Sequence, residues 1–223
     1  MPTILITGAG RGLGLELARQ YAADGWQVFG TVRDDHGAAA LGKLGARAVS
    51  LDVANFEQAK ELKAQIDSPI DVLFCNAGVI GKRGMALGSF DYAEWEKVLR
   101  VNVLGVAAVI EALVDNVAAS EKKLIAVMSS RLGSIAESSG NTLPYGTSKA
   151  ALNLLAKGLA VTLAPRGVTV LAVSPGWVRT DMGGEGAPLS PEESVRGLRK
   201  VLAGATKGDS GKFLSHDGSP IAW

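Results

Sequence analysis

Tyr145 and Lys149 stand four residues apart in Tyr145-Gly146-Thr147-Ser148-Lys149, close to one turn of a helix. Side chains at that spacing share a helical face, so the Lys149 ammonium can approach the Tyr145 hydroxyl and stabilise its phenolate. A phenol with an ordinary pKa of about 10 would then exchange a proton near neutral pH. Tyr-x-x-x-Lys alone is common, and its plain reading is a half-buried aromatic beside a surface lysine. Ser129-Ser130 follow an apolar run and offer hydroxyls that could hold a substrate oxygen and stabilise negative charge developing on it. One of the two is readily a strand-end serine tied to backbone; Ser130 is the favoured oxyanion donor.

Near the start, Thr7-Gly8-Ala9-Gly10-Arg11-Gly12-Leu13-Gly14 leads from an apolar run into a stretch of helical spacing. Glycines permit a sharp turn and close approach to a pyrophosphate, whose charge suits a helix N-terminus. The spacing of Gly8, Gly12 and Gly14 departs from GxGxxG, so position after a strand carries the inference. Asp52 and Asn76-Ala77-Gly78 end two later apolar runs and should reach the same sheet edge, although Asp and Asn also commonly cap loops. Arg33 ends Thr31-Val32-Arg33, where an acidic side chain would hold a ribose diol. With Arg11 it could clasp a 2′-phosphate, which favours NADP(H), with NAD(H) possible. Asp34 and Asp35 run against that choice, and Arg33 also reads as a solvated surface charge.

Apolar runs at Thr3–Ile6, Gln27–Val32, Ala48–Leu51, Val72–Phe74, Leu124–Met128 and Val168–Val173 read as buried strands, with Lys212–Leu214 as a last short one. Between them lie helical patterns: Leu13, Leu17 and Tyr21; Phe56, Leu62 and Ile66; a long segment Tyr92–Ala118; Tyr145–Leu163; and a helix starting near Ser190-Pro191-Glu192-Glu193. Such alternation predicts an α/β fold, a Rossmann-type doubly wound parallel sheet with helices on both faces. The 223 residues, 47% hydrophobic and 20% charged, are expected to form a single domain over 1–223, its cofactor half at about 1–120 and its catalytic and substrate half at about 121–223. A formal net charge of +1 argues against nucleic acid or an anionic membrane as partner and leaves a small molecule. No apolar run approaches the roughly 20 residues of a membrane span. One cysteine and a start lacking a secretory signal point to the cytoplasm. His36, His216 and Cys75 are isolated and suggest neither a metal site nor a thiol nucleophile.

Taken together, Thr7-Gly8-x-x-x-Gly12-x-Gly14, Asp52, Asn76-Ala77-Gly78, Asn102, Ser130, Tyr145-x-x-x-Lys149 and Pro175-Gly176 resemble the short-chain dehydrogenase/reductases in type and order along almost the whole chain. The resemblance implies that Tyr145 is the general acid/base, that Lys149 orients the nicotinamide ribose and lowers the tyrosine pKa, and that Ser130 positions a substrate carbonyl. It also implies that Asn102 holds a water in a relay behind Lys149, and that Val53, Val178 and Thr180 join the cofactor contacts. Trp177 either lines the pocket or packs under a loop. Within the family the chain resembles the carbonyl reductases related to sniffer and C-factor, through Leu132-Gly133-Ser134-Ile135, Tyr145 to Asn153, and the ending Asp217-Gly218-x-x-x-x-Trp223. The interval from Ser130 to Tyr145 is longer than the common spacing, which leaves Ser129 or Ser134 open as the substrate hydroxyl. The segment from Met182 to Ser190 is short, which predicts a thin lid.

The activity implied is NADP(H)-dependent hydride transfer to or from a ketone, aldehyde or secondary alcohol. The alternative is a cofactor-sensing signalling or binding protein on a reductase fold. Sugar-nucleotide epimerisation would need a larger carboxyl-terminal region than follows Thr180. Family analogy also implies a homodimer or homotetramer through the helices bearing Asn102 and Tyr145.

Overall fold

Residues 124–128 show why the chain forms a sheet covered on both sides. Ile125 and Val127 enter one hydrophobic cluster, while Leu124, Ala126 and Met128 enter another. A strand buried on both faces reads as a continuous apolar run because neither set of alternate residues meets water. In the computed structural model, which describes residues 1–85, 87–140 and 142–223, the strands are β1 (Thr3–Ile6), β2 (Gln27–Val32), β3 (Arg47–Ser50), β4 (Val72–Cys75), β5 (Leu124–Met128), β6 (Thr169–Ser174) and β7 (Phe213–Ser215). They form one seven-stranded sheet in the order β3-β2-β1-β4-β5-β6-β7, every neighbour parallel. The chain therefore winds outward from β1 to β3, returns beside β1 as β4, and winds the other way.

Helices α1 (Gly12–Ala23), α2 (Asp35–Gly42) and α7 (Pro191–Gly204) contribute to the cluster on one face. On the other lie α3 (Phe56–Gln65), α5 (Gly105–Ala118) and α6 (Leu143–Leu163). The side chains of Asp34, Asn55 and Ser190 accept backbone N–H bonds at the starts of α2, α3 and α7. Asp34, which on sequence competes with a 2′-phosphate reading, thus has a structural use. Helix α6 begins at Leu143, ahead of the expected Tyr145, with Pro144 in its first turn.

The long helical segment expected over Tyr92–Ala118 is interrupted. It forms α4 (Tyr92–Leu99), a π turn (Arg100–Leu104) and α5, and Gly105 N bonds Arg100 O across five residues. The wider turn carries Asn102, which is wholly buried. Gly105 lets α5 approach the loop after β3, since a Cβ there would lie 2.6 Å from Val53 O.

Candidate active site

The carboxyl ends of β1 to β6 open onto a cleft of about 710 Å³ at the point where the winding reverses, as open α/β sheets place ligand sites. Of the favoured catalytic and cofactor-contact residues, all but Gly14 and Asn102 line it, and Ser134, left open as the substrate hydroxyl, does not.

The glycine loop forms its floor. Thr31 fixes the loop to β2, its Oγ1 accepting from Gly8 N at 3.1 Å and its carbonyl accepting from Ala9 N at 2.9 Å. Thr7 Oγ1 accepts from Asn76 N and Ala77 N, and Asn76 Nδ2 donates to Thr7 O and Gly8 O. Asn76 therefore ties the loop to β4, the structural use of asparagine that the sequence left open. Gly8 (φ +65°) and Gly12 (φ +53°) occupy left-handed backbone, and a Cβ at Gly14 would lie 2.3 Å from Gly8 O. No side chain caps α1, so its first-turn N–H groups remain available to an anion. A bare helix N-terminus, a glycine-rich loop and the exposed cations Arg11 and Arg33 along the rim fit the phosphates of a dinucleotide. Asp52 Oδ1 accepts from Ala54 N at 2.9 Å, so this residue forms a turn and lines the cleft as well.

Two walls meet at the reacting end. Gly133, just after β5, packs on α6 so closely that a Cβ would lie 2.7 Å from Lys149 Cβ. This brings the half-buried Ser130 beside Tyr145, and their hydroxyls are hydrogen-bonded. The other serines are engaged elsewhere: Ser129 Oγ donates to Asn153 Oδ1 at 2.6 Å, and Ser134 Oγ accepts from Glu137 N at 3.1 Å. Lys149 Nζ lies 5.5 Å from the centre of the Tyr145 ring and donates to Met128 O at 2.6 Å. Gly78 leaves the space for it, since a Cβ there would stand 3.6 Å from Nζ and 3.2 Å from Asn102 Oδ1.

Burial dominates the electrostatics. It pushes Tyr145 up to about 12, against a lowering by the Ser130 hydrogen bond, and brings Lys149 down to about 8. This corrects the expectation of an acidified phenol: desolvation of both groups outweighs their proximity here, with the ammonium turned toward Met128. Asn102 sits behind this pair rather than in the cleft. Its Oδ1 accepts from Val79 N and its Nδ2 donates to Val79 O and Ser148 Oγ, at 2.8, 2.8 and 2.9 Å, so its carboxamide supports backbone after β4.

After β6, Pro175 and Gly176 (φ +79°) turn the chain into a lid. Val178 pairs with Leu189, Thr180 Oγ1 accepts from Gly183 N, and Trp177 Nε1 donates to Gly183 O while the residue lines the cleft. Arg83 and Asp181 also line it, and Arg83 donates to Met182 O across the mouth. Neither residue carried a signal in the sequence, since each lies in a loop outside any motif.

The chain matches the short chain dehydrogenase family over residues 2–188. It belongs to that family. This short-chain dehydrogenase is 38% identical over 156 residues to C-signal of Myxococcus xanthus, covering 70% of this chain and 93% of the relative. The carbonyl reductase Sniffer of D. melanogaster superposes with a TM-score of 0.91 at 32% identity over all of both chains. An NADPH-bound carbonyl reductase from chicken fatty liver gives 0.91 at 29% identity, covering 100% of this short-chain dehydrogenase and 99% of its own chain.

Proposed function

We propose that this short-chain dehydrogenase transfers a hydride between NADP(H) and a ketone, aldehyde or secondary alcohol, with Tyr145 as general acid/base. The observation carrying the proposal is the Ser130–Tyr145 hydrogen-bonded pair at one end of a dinucleotide-shaped cleft, with the Lys149 ammonium 5.5 Å from the tyrosine ring. When bound, the nicotinamide supplies or accepts the hydride. A carbonyl oxygen seated between the two hydroxyls receives a hydrogen bond from Ser130 as negative charge grows on it, and a proton from Tyr145. Even at about 12 the buried phenol is a stronger acid than an alcohol, so protonating an alkoxide runs downhill. The phenolate left behind is stabilised by Lys149, provided that group holds its proton. Its pKa of about 8 therefore predicts that carbonyl reduction declines as pH rises through about 8.

NADP(H) is favoured over NAD(H) by Arg11 and Arg33 on the cleft rim, and NADPH is bound in the carbonyl reductase from chicken fatty liver. The proposal includes a cytoplasmic location, a small-molecule partner, and a homodimer or homotetramer packed through α5 and α6. Leu104, Leu154 and Val161 are exposed on or beside those helices.

Purified protein mixed with NADPH and a panel of ketones and aldehydes should show carbonyl-dependent loss of NADPH absorbance. Tyr145→Phe should lower kcat by about 10²–10⁴-fold, and Ser130→Ala by roughly 10²-fold or more, with cofactor binding retained. Turnover unchanged in Tyr145→Phe would overturn the assignment.

A further inference from the structure

Asp181 Oδ2 lies 3.1 Å from Arg11 Nη1, and both residues line the dinucleotide cleft. The pair closes a seam between glycine loop and lid: a Cβ on neighbouring Gly12 would stand 3.9 Å from Thr180 Cγ2. One residue further on, Arg83 reaches from the loop after β4 to the Met182 carbonyl. Two arginines from different walls thus hold consecutive lid residues, and they hold them differently. Arg83 is bound to a neutral carbonyl. Arg11 is bound to a carboxylate, with the two side chains 77% and 84% exposed, and another anion can displace an acid from so solvated a pair.

We propose that Asp181 competes with the 2′-phosphate of NADP(H) for Arg11, and so weakens binding of the phosphorylated cofactor while leaving NAD(H) unaffected. The inference rests on the reading of Arg11 as a 2′-phosphate ligand. A phosphate monoester carries more charge than a carboxylate and offers a guanidinium a charge-assisted fork, so it wins the exchange. Breaking the ion pair still subtracts from its affinity. NAD(H) lacks the group that draws Arg11 away, and the pair survives its binding. Asp181 is then a selectivity residue acting against the preferred cofactor, and its release loosens the lid seam when NADP(H) is bound.

Calorimetric titration of the full chain with NADP⁺ and NAD⁺ tests this without any turnover. Asp181→Asn should tighten NADP⁺ binding about two- to fivefold, the range an exposed ion pair sustains, with NAD⁺ affinity unchanged. Asp181→Asn placed on Arg11→Ala should give no gain, because the competition needs both residues. An equal change for both cofactors, or weaker NADP⁺ binding, would show that Asp181 serves the lid alone and overturn the inference. Arg11→Ala by itself separates the two levels. Selective loss of NADP⁺ affinity keeps the phosphate reading even if Asp181→Asn does nothing; no selective loss removes both.

Discussion

Lys149 carries an ammonium into a wall where only 3% of the residue meets solvent, with the Met128 carbonyl as its hydrogen-bond acceptor. Burial lowers its pKa from 10.5 to about 8, which fixes how it acts on stability. Below pH 8 both folded and unfolded chains hold the proton, and the fold bears the full desolvation penalty. Between 8 and 10.5 only the unfolded chain holds it, so stability from this group rises with pH; above 10.5 the penalty is gone. Lys149→Met should therefore be more stable than the parent at pH 7 by on the order of 3 kcal/mol, with most of the gain lost by pH 10. Urea unfolding at the two pH values measures it, and a variant no more stable at pH 7 would show that the Met128 bond offsets desolvation. The same variant should be catalytically poor, a stability traded for a charged site. At this scale Tyr145, Lys149 and Ser130 stood out only in combination with the glycine loop and Asn76, since each has an ordinary structural use alone. The choice among serines was not legible, because it depends on which face of β5 looks toward Asn153 and which toward the cleft.

Among the elements, the π turn at Arg100–Leu104 is the feature that hydropathy conceals. One extra residue in a turn leaves the apolar pattern on both sides intact, so Tyr92–Ala118 reads as one helix. What the extra residue achieves is visible only in space. It aims Asn102 at Val79 and Ser148, which are 23 and 46 residues away in sequence. The resemblance marked the position with a relay role, and the hydrogen bonds add a backbone clamp. Asn102→Ala removes three hydrogen bonds and leaves the Val79 amide and carbonyl without these partners, which should lower stability by about 2–4 kcal/mol. Because Val79 follows the Gly78 that borders Lys149, cofactor affinity should fall with it. Denaturant midpoints and cofactor titration report both. Loss of affinity at full stability would instead favour the relay role. The strands were nearer to legible, β1, β2 and β5 matching their apolar runs and the others displaced by a residue or so. Edges slip where the hydrogen-bond ladder, rather than hydropathy, ends a strand, as at Arg47 in β3.

Over the whole molecule, the reversal of winding between β1 and β4 joins early and late parts of the chain in one cleft. Its lining runs from Gly8 to Gly183 and draws on the ends of six strands, so a dinucleotide lying along it bridges segments that separate only on unfolding. Such a ligand stabilises the native state by mass action, about 2.7 kcal/mol at a concentration 100 times its Kd. For a chain of this length each kcal/mol raises Tm by about 2–4 °C, so NADP⁺ at that level should raise it by roughly 5–10 °C. NAD⁺ at the same concentration should raise it less if, as proposed, Arg33 and Arg11 hold the 2′-phosphate that it lacks. Arg33→Ala should bring the NADP⁺ shift toward that of NAD⁺ without altering Tm in the absence of cofactor, since Arg33 is exposed on the rim and outside the core. Thermal unfolding of the two proteins with each cofactor gives the comparison. Equal shifts from NADP⁺ and NAD⁺ in the parent chain would remove the preference for NADP(H) while leaving the cleft and its tyrosine chemistry as they stand.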